Sequence, residues 1–205
     1  MQHFCILSVN IYMRETFDEK GLILKILSGD QQALRQFIDM HQRLVSHIVF
    51  RMIPIERERE DICQNIFIKI YQNLGTFHFQ SKLSTWIGAI AYNTCLNYLE
   101  KKKIPLREDI PGDYSIPDYA DTDVLLPDAH VEREDTSIRI RRELMKLPAI
   151  FRTILTLFYL DELSYREIGA VMDLPEGTVK SYLFRGRKYL KDRLLRKYQP
   201  EEIWQ

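Results

Sequence analysis

Apolar residues recur at three-and-four spacing along residues 19–53: Leu22 and Ile26, then Leu34, Phe37 and Ile38, then Leu44, Val45, Ile48 and Val49. That period places them on one face of a helix. Ser28-Gly29-Asp30 interrupts the run, with Gly29 suited to close one helix and Asp30 to cap the next. Pro54 ends the stretch. From Asp61 a further run carries Ile62, Ile66, Phe67 and Ile70 and stops near Gly75. A fourth helix is expected over 84–103, with Ile87, Ile90, Ala91, Thr94, Cys95 and Tyr98 along one side. No period-two alternation and no internal repeat stands out, so the expected fold is all-α.

Charge divides the chain where periodicity lapses. Lys plus Arg and Asp plus Glu each number 29 among 205 residues, for a net charge of zero. The zero conceals blocks. Residues 104–137 hold ten acids and two bases, and four of the eight prolines: Pro105, Pro111, Pro117 and Pro127. Such a composition does not repay the entropy of packing and reads as a flexible acidic linker. Residues 178–198 hold eight bases against Asp192 alone, which points to a polyanion partner. The expected organisation is a tail (1–18), a helical domain (19–103), the linker (104–137), a second helical domain (138–198) and a short tail (199–205).

The second domain is the more explicit. Bases alternate with Ile138, Leu144, Leu147, Ile154, Leu155 and Phe158, with a break at Pro148. Ser164 and Glu167 have the spacing of a capping box, which starts a short helix carrying Ile168, Val171 and Met172. Asp173-Leu174-Pro175 turns the chain. The next helix repeats Val179, Leu183, Gly186 and Leu190 toward the core, and its opposite face carries Lys180, Ser181, Phe184, Arg185 and Lys188. Two short helices, a tight turn, small Gly169 at the crossing and a basic outer face describe a helix-turn-helix. Its second helix suits the major groove, where Arg pairs with guanine edges and Lys with phosphates.

The first domain adds Asp61-Ile62-Cys63-Gln64-Asn65-Ile66-Phe67, then Phe77, then Ser84-Thr85-Trp86-Ile87-Gly88-Ala89-Ile90-Ala91-Tyr92-Asn93-Thr94, then Asn97-Tyr98-Leu99 before Lys101, Lys102 and Lys103. Gly29-Asp30-Gln31-Gln32-Ala33-Leu34 precedes these motifs. Leu163-Ser164-Tyr165 and Glu176-Gly177-Thr178-Val179-Lys180-Ser181 follow them. In this order the motifs resemble the extracytoplasmic-function sigma factors, the two-domain group of the sigma-70 family, over about residues 20–197. The resemblance implies an initiation factor that binds core RNA polymerase through its β′-type and β-type subunits, finds promoter DNA and helps melt it. The positions matching the polymerase-docking helix are Asp61, Gln64, Asn65 and Phe67, with Lys69 nearby; Phe67 reads equally as a core residue. The positions matching the segment that holds the melted minus-ten strand are Phe77, His78, Phe79, Gln80, Ser81 and Lys82, then Trp86, Asn93 and Asn97. Aromatics for stacking and cations for phosphate suit that task, while Trp86, one residue off the apolar seam, reads nearly as well as core. The matching reader of the minus-thirty-five element is Thr178, Lys180, Ser181, Phe184, Arg185 and Lys188.

The sequence departs from the family at Ala89 and Tyr92, where cations are common, at Leu83, where an aromatic is common, and at Pro175, where a Ser-like cap is common. Contacts to the DNA backbone are therefore expected from Lys82, Lys101, Lys102 and Lys103. An anti-sigma factor is a further partner that the family implies. No Gly-rich phosphate loop, metal cluster or nucleophile–base pair stands out, so neither catalysis nor a cofactor is expected. Cys5, Cys63 and Cys95 are too widely spaced for a disulfide framework, and His3, His41, His47, His78 and His130 are expected to face solvent. With no apolar run of about 20 residues and no recognisable leader, the expected location is the cytoplasm, without membrane insertion. Two other readings compete: a stand-alone helix-turn-helix regulator that needs no polymerase, and an enzyme with a DNA-binding tail that uses Cys63 or Cys95.

Overall fold

A computed structural model of the protein describes residues 18–104 and 136–199. All regular structure among them is helical. The linker expected at 104–137 falls almost wholly outside the described residues, as do both expected tails, Cys5, His3 and His130.

Each helix boundary has a local cause. The Asp18 carboxylate accepts from the Gly21 N–H at 2.8 Å and starts α1 (Glu19–Leu27). Gly29, at φ +92°, turns the chain out of it. The Asp30 carboxylate then accepts from the N–H groups of Gln32 and Ala33 to open α2 (Gln31–Met52). Pro54 separates α2 from α3 (Glu56–Asn73), whose first turn carries Glu56 and Glu58 beside the positive end of the helix dipole. A 3-10 turn (Leu74–Thr76) and a loop lead to α4 (Leu83–Lys101). After the undescribed stretch come α5 (Thr136–Met145), α6 (Ala149–Tyr159) directly after Pro148, α7 (Tyr165–Met172) and α8 (Glu176–Lys197).

The first four helices bury Phe37, Val45, Ile48, Val49, Ile66, Ile70, Ile87 and Cys95. The last four bury Phe151, Ile154, Leu157, Ile168, Val179 and Leu183. These sets are continuous: α6 packs on α2, α7 packs on α4, and one apolar core runs through both groups. At about 1.5–3 kcal/mol for each buried large side chain, this shared core is a principal source of stability. Glu143, almost fully buried, ties α5 to α8 by accepting from Arg193 Nε at 3.2 Å and Lys197 Nζ at 3.3 Å.

Polar groups line the seam between the two groups of helices. Arg43 donates to the Leu160 carbonyl at 2.8 Å, and His47 Nδ1 lies 2.8 Å from Asp161 Oδ1. Arg51 donates to Thr156 Oγ1 at 3.0 Å. Arg152 donates to the carbonyls of Arg51, Met145 and Leu147. Burial first, then the charges of Arg51 and Arg59, push the Arg152 pKa down to about 10.

Two histidines depart from the solvent-facing expectation. His41 is buried against the Phe37 ring, 4.8 Å between centroids, because its position continues the apolar stripe of α2. His47 is half-buried in the seam. His78 is exposed, as expected.

Candidate nucleic-acid interface

The helix-turn-helix is built from its cap. The Ser164 hydroxyl accepts from the Glu167 N–H at 3.3 Å, and the Glu167 carboxylate accepts from the Ser164 N–H at 2.8 Å, so the expected capping box is formed. Asp173, at φ +53°, closes α7, and the Leu174 N–H donates to the Gly169 carbonyl at 3.0 Å. A Cβ on Gly169 would lie 2.7 Å from the Leu174 carbonyl oxygen, so the turn between α7 and α8 requires glycine there. Pro175 precedes α8 without a side-chain cap.

The inner face of α8 buries Val179, Leu183, Gly186 and Tyr189; Leu190, expected on that seam, is half-buried. Outward point Lys180, Ser181, Phe184, Arg185 and Lys188, with Thr178 half-buried at the start. Phe184 is 68% exposed, a large apolar surface left uncovered on a basic face. Lys180 pairs with Glu176 at 2.8 Å, and that hydrogen bond first, then its charge, raises the lysine pKa. The Ser181 hydroxyl donates to the Gly177 carbonyl at 3.0 Å. The Arg187 guanidinium, absent from the expected set, stacks over the rings of Phe158 and Tyr159 at 5.5 and 5.6 Å. It braces this face.

The second cluster surrounds the start of α4. Here the structure corrects one expectation: Phe77 is only 6% exposed and belongs to the core, so it does not present a stacking face. Its ring lies 4.7 Å from that of Phe79 and 5.3 Å from that of Trp86, an aromatic floor beneath the loop. Phe79 is 46% exposed and sits at φ +56°, a left-handed conformation that costs a bulky residue energy. His78, Gln80 and Ser81 are exposed beside it. Trp86, Asn93 and Asn97, together with Ile90, fall at helical spacing along one stripe of α4; Trp86 is half-buried and both asparagines are exposed. Lys82 is exposed and reaches the Glu167 carboxylate at 2.7 Å. Burial would raise the Glu167 pKa, but hydrogen bonds from Lys82 and Ser164 outweigh it and hold the group down to about 2.

The third cluster is on α3. Asp61, Gln64 and Asn65 are exposed, and Phe67 is half-buried against the core. Lys69 donates to Thr94 Oγ1 at 3.3 Å and so braces α3 against α4. The sequence reading missed Ile68 and Tyr71, 55% and 48% exposed. Their spacing from Asp61 and Gln64, opposite Ile62, Ile66 and Ile70, is the signal that distinguishes them. Among the described residues no group of three metal-ligating side chains converges, and no helix is long and apolar enough to cross a membrane. Burial raises the thiol pKa of Cys63 and, first by burial and then by the nearby Cys63, that of Cys95 to about 12, which leaves both as weak nucleophiles.

A capped helix-turn-helix with a basic reading face, joined to a helical unit bearing an aromatic loop and an amide stripe, defines a two-part nucleic-acid-binding protein. Comparison with known families narrows this class. A model for sigma-70 region 2 matches residues 37–104, and a model for sigma-70 region 4 matches residues 137–190. The ECF RNA polymerase sigma factor SigW of Bacillus subtilis is 35% identical over 85% of this chain and 96% of its own. The ECF RNA polymerase sigma-E factor of Escherichia coli K12 is 32% identical over 89% of this chain and 97% of its own. Among solved structures, the Bartonella quintana sigma factor RpoE, in complex with the anti-sigma factor NepR, superposes with a TM-score of 0.60. That match has 20% identity and covers 80% of this chain and 98% of the other. The chain belongs to the extracytoplasmic-function sigma factors of the sigma-70 family.

Proposed function

We propose that this protein is a transcription initiation factor: it binds core RNA polymerase, directs it to promoters and helps open the start region. The observation that carries this reading is the coexistence of two chemically different nucleic-acid surfaces on one chain. The outer face of α8 offers Arg185, Lys188 and Phe184 to a duplex groove. The Phe79 loop and the Trp86–Asn93–Asn97 stripe suit bases taken out of the stack, where every base has a face to stack and an edge to bond. A stand-alone regulator has no use for the second surface. Polymerase docking is assigned to the exposed stripe Asp61, Gln64, Ile68 and Tyr71 on α3, together with Asn65. A mixed polar and apolar helix face fits a partner helix.

The two surfaces are divided between the two helical groups, one on each. The chain performs no catalysis itself and works in the cytoplasm. An anti-sigma factor is its natural regulator, a reading consistent with the family and with the fold that RpoE shows in its complex with NepR. The experiment is binding of a promoter duplex by this chain alone, by core polymerase alone and by both. Salt-resistant, sequence-specific binding that requires both supports the initiation factor. Equal specific binding by the chain alone supports the regulator instead.

A further inference from the structure

Four arginines from four different helices gather in one place: Arg51 of α2, Arg59 of α3, Arg141 of α5 and Arg152 of α6. Met145 stands at the centre of the group. Arg51 Nη1 donates to its sulfur at 2.9 Å, and Arg152 Nη1 donates to its carbonyl at 3.1 Å. Arg152 Nε donates to the Arg51 carbonyl, and Arg59 Nε donates at 2.9 Å to the nearby Ile53 carbonyl. Arg141 lies one helical turn before Met145. It is exposed and makes no hydrogen bond or ion pair among the described residues.

The charge of this cluster is poorly met. A guanidinium carries five N–H donors, yet Arg59 spends one on a carbonyl and Arg51 spends one on a thioether, a weak acceptor. Among the described residues no carboxylate forms an ion pair with any of the four. Asp161, which offsets the charge of Arg51, is held by His47 at 2.8 Å, and Glu143 is taken by Lys146, Arg193 and Lys197. Burial first, then the charges of Arg141 and Arg59, disfavours the charge on Arg51. Arg51, Arg59 and Arg152 are half-buried, so water screens this repulsion only in part. Cations gathered in this way favour an anion that reaches them, and the planar fork of arginine fits phosphate oxygens two at a time.

We propose that Arg51, Arg59, Arg141 and Arg152 form a binding site for a short polyphosphate group, inorganic or carried by a nucleoside. A single phosphate, at about −2, leaves the four guanidinium charges half neutralised, and a chain of three phosphates comes closer to matching them. Half-buried side chains between helices favour a small ligand over a duplex. None of the four residues belongs to the α8 face, the Phe79 loop or the α3 stripe, so the site does not depend on the initiation-factor reading.

Isothermal titration calorimetry of the full chain with tripolyphosphate, at about 0.15 M chloride, tests the site. Wild type should bind one tripolyphosphate, and Arg141→Gln and Arg59→Gln should each weaken binding at least tenfold. Arg141→Gln removes like-charge repulsion and no hydrogen bond or ion pair among the described residues, so without ligand it should melt no lower than wild type. Arg35→Gln, sixteen residues and about 24 Å back along α2 from Arg51, controls for net charge and should bind as wild type does. A nucleoside triphosphate distinguishes the two sources of the group. Equal affinity assigns recognition to the phosphates alone, and tighter binding adds a base on Phe50, whose 43% exposed ring lies beside Arg59; both results support the site. No saturable binding by wild type overturns the proposal, and so does an equal loss in Arg35→Gln and Arg141→Gln. Binding that appears only after Asp118, Asp121, Asp123 and Asp128 are changed to Asn also overturns it, because the cluster then belongs to those carboxylates.

Discussion

Phe79→Asn separates packing from base stacking. Phe79 occupies the left-handed region at φ +56°, where asparagine is tolerated far better than a bulky aromatic, so the substitution relieves about 1 kcal/mol of backbone strain. Against this stands the ring contact with Phe77 at 4.7 Å, worth about 0.5–1.5 kcal/mol. Phe79 is 46% exposed, so about half of its ring is buried, and losing that burial costs about 1.5 kcal/mol or more. The strain relief offsets only part of these losses, and denaturant unfolding should find the variant folded but about 1–2 kcal/mol less stable than wild type. A stacked base is worth about 1–3 kcal/mol, so promoter opening should fall by about 5- to 150-fold. The assay is 2-aminopurine fluorescence in the start region, with holoenzyme assembled from core polymerase and each protein, on duplex and on pre-melted promoter. The variant should bind the duplex normally, open it poorly, and be rescued by pre-melted DNA. A stable variant that opens duplex DNA at the wild-type rate would refute the stacking role of this strained loop. The companion Phe77→Ala should instead unfold the domain, at a cost of about 3–5 kcal/mol, because that ring is buried.

Three further outcomes are expected. Arg185→Ala should lose about 1–3 kcal/mol of discrimination at one base pair of the upstream element. Lys188→Ala should weaken binding to all sequences alike and reduce the salt slope by about one; anisotropy on cognate and scrambled duplexes over a salt series distinguishes the two. Burial holds the His41 pKa down to about 4, so between there and about 6.5 the unfolded chain binds a proton that the native one refuses. Stability should therefore fall on acidification through that window, by at most about 3 kcal/mol, and His41→Leu should flatten this part of the pH profile of unfolding. Tyr71→Ala and Ile68→Ala should leave DNA binding by the free chain unchanged and weaken assembly with core polymerase at least tenfold, read by size-exclusion or anisotropy titration.

Much of the fold was legible because local chemistry dictates it. Gly29 and Asp30 turned and capped the chain where expected, and Ser164 and Glu167 formed their box. The helical period of the apolar residues fixed which face of α2, α4 and α8 turned inward. What resisted reading was tertiary. Phe77 and Phe79 are two residues apart in one loop, and nothing local says which ring goes inside. His41 falls on an apolar stripe, and composition alone favoured solvent for it. Ile68 and Tyr71 are apolar like their neighbours in α3, and only the buried face Ile62, Ile66 and Ile70 shows that they point outward. The seam between the two helical groups is the clearest case. Arg43, His47, Arg51, Asp161 and Glu167 are more than 100 residues apart across it, and no period or motif pairs them. Two separate apolar faces looked like two separate cores; the structure joins them.

The central claim is that this chain confers promoter specificity on RNA polymerase, and run-off transcription tests it most directly. Purified core polymerase should give only diffuse, non-specific products on a template library drawn from the source genome. Adding this protein should produce discrete transcripts that start a fixed distance downstream of a shared upstream element, and Arg185→Ala should reduce them. Discrete starts that are absent with the protein, or equally present without it, would contradict the account.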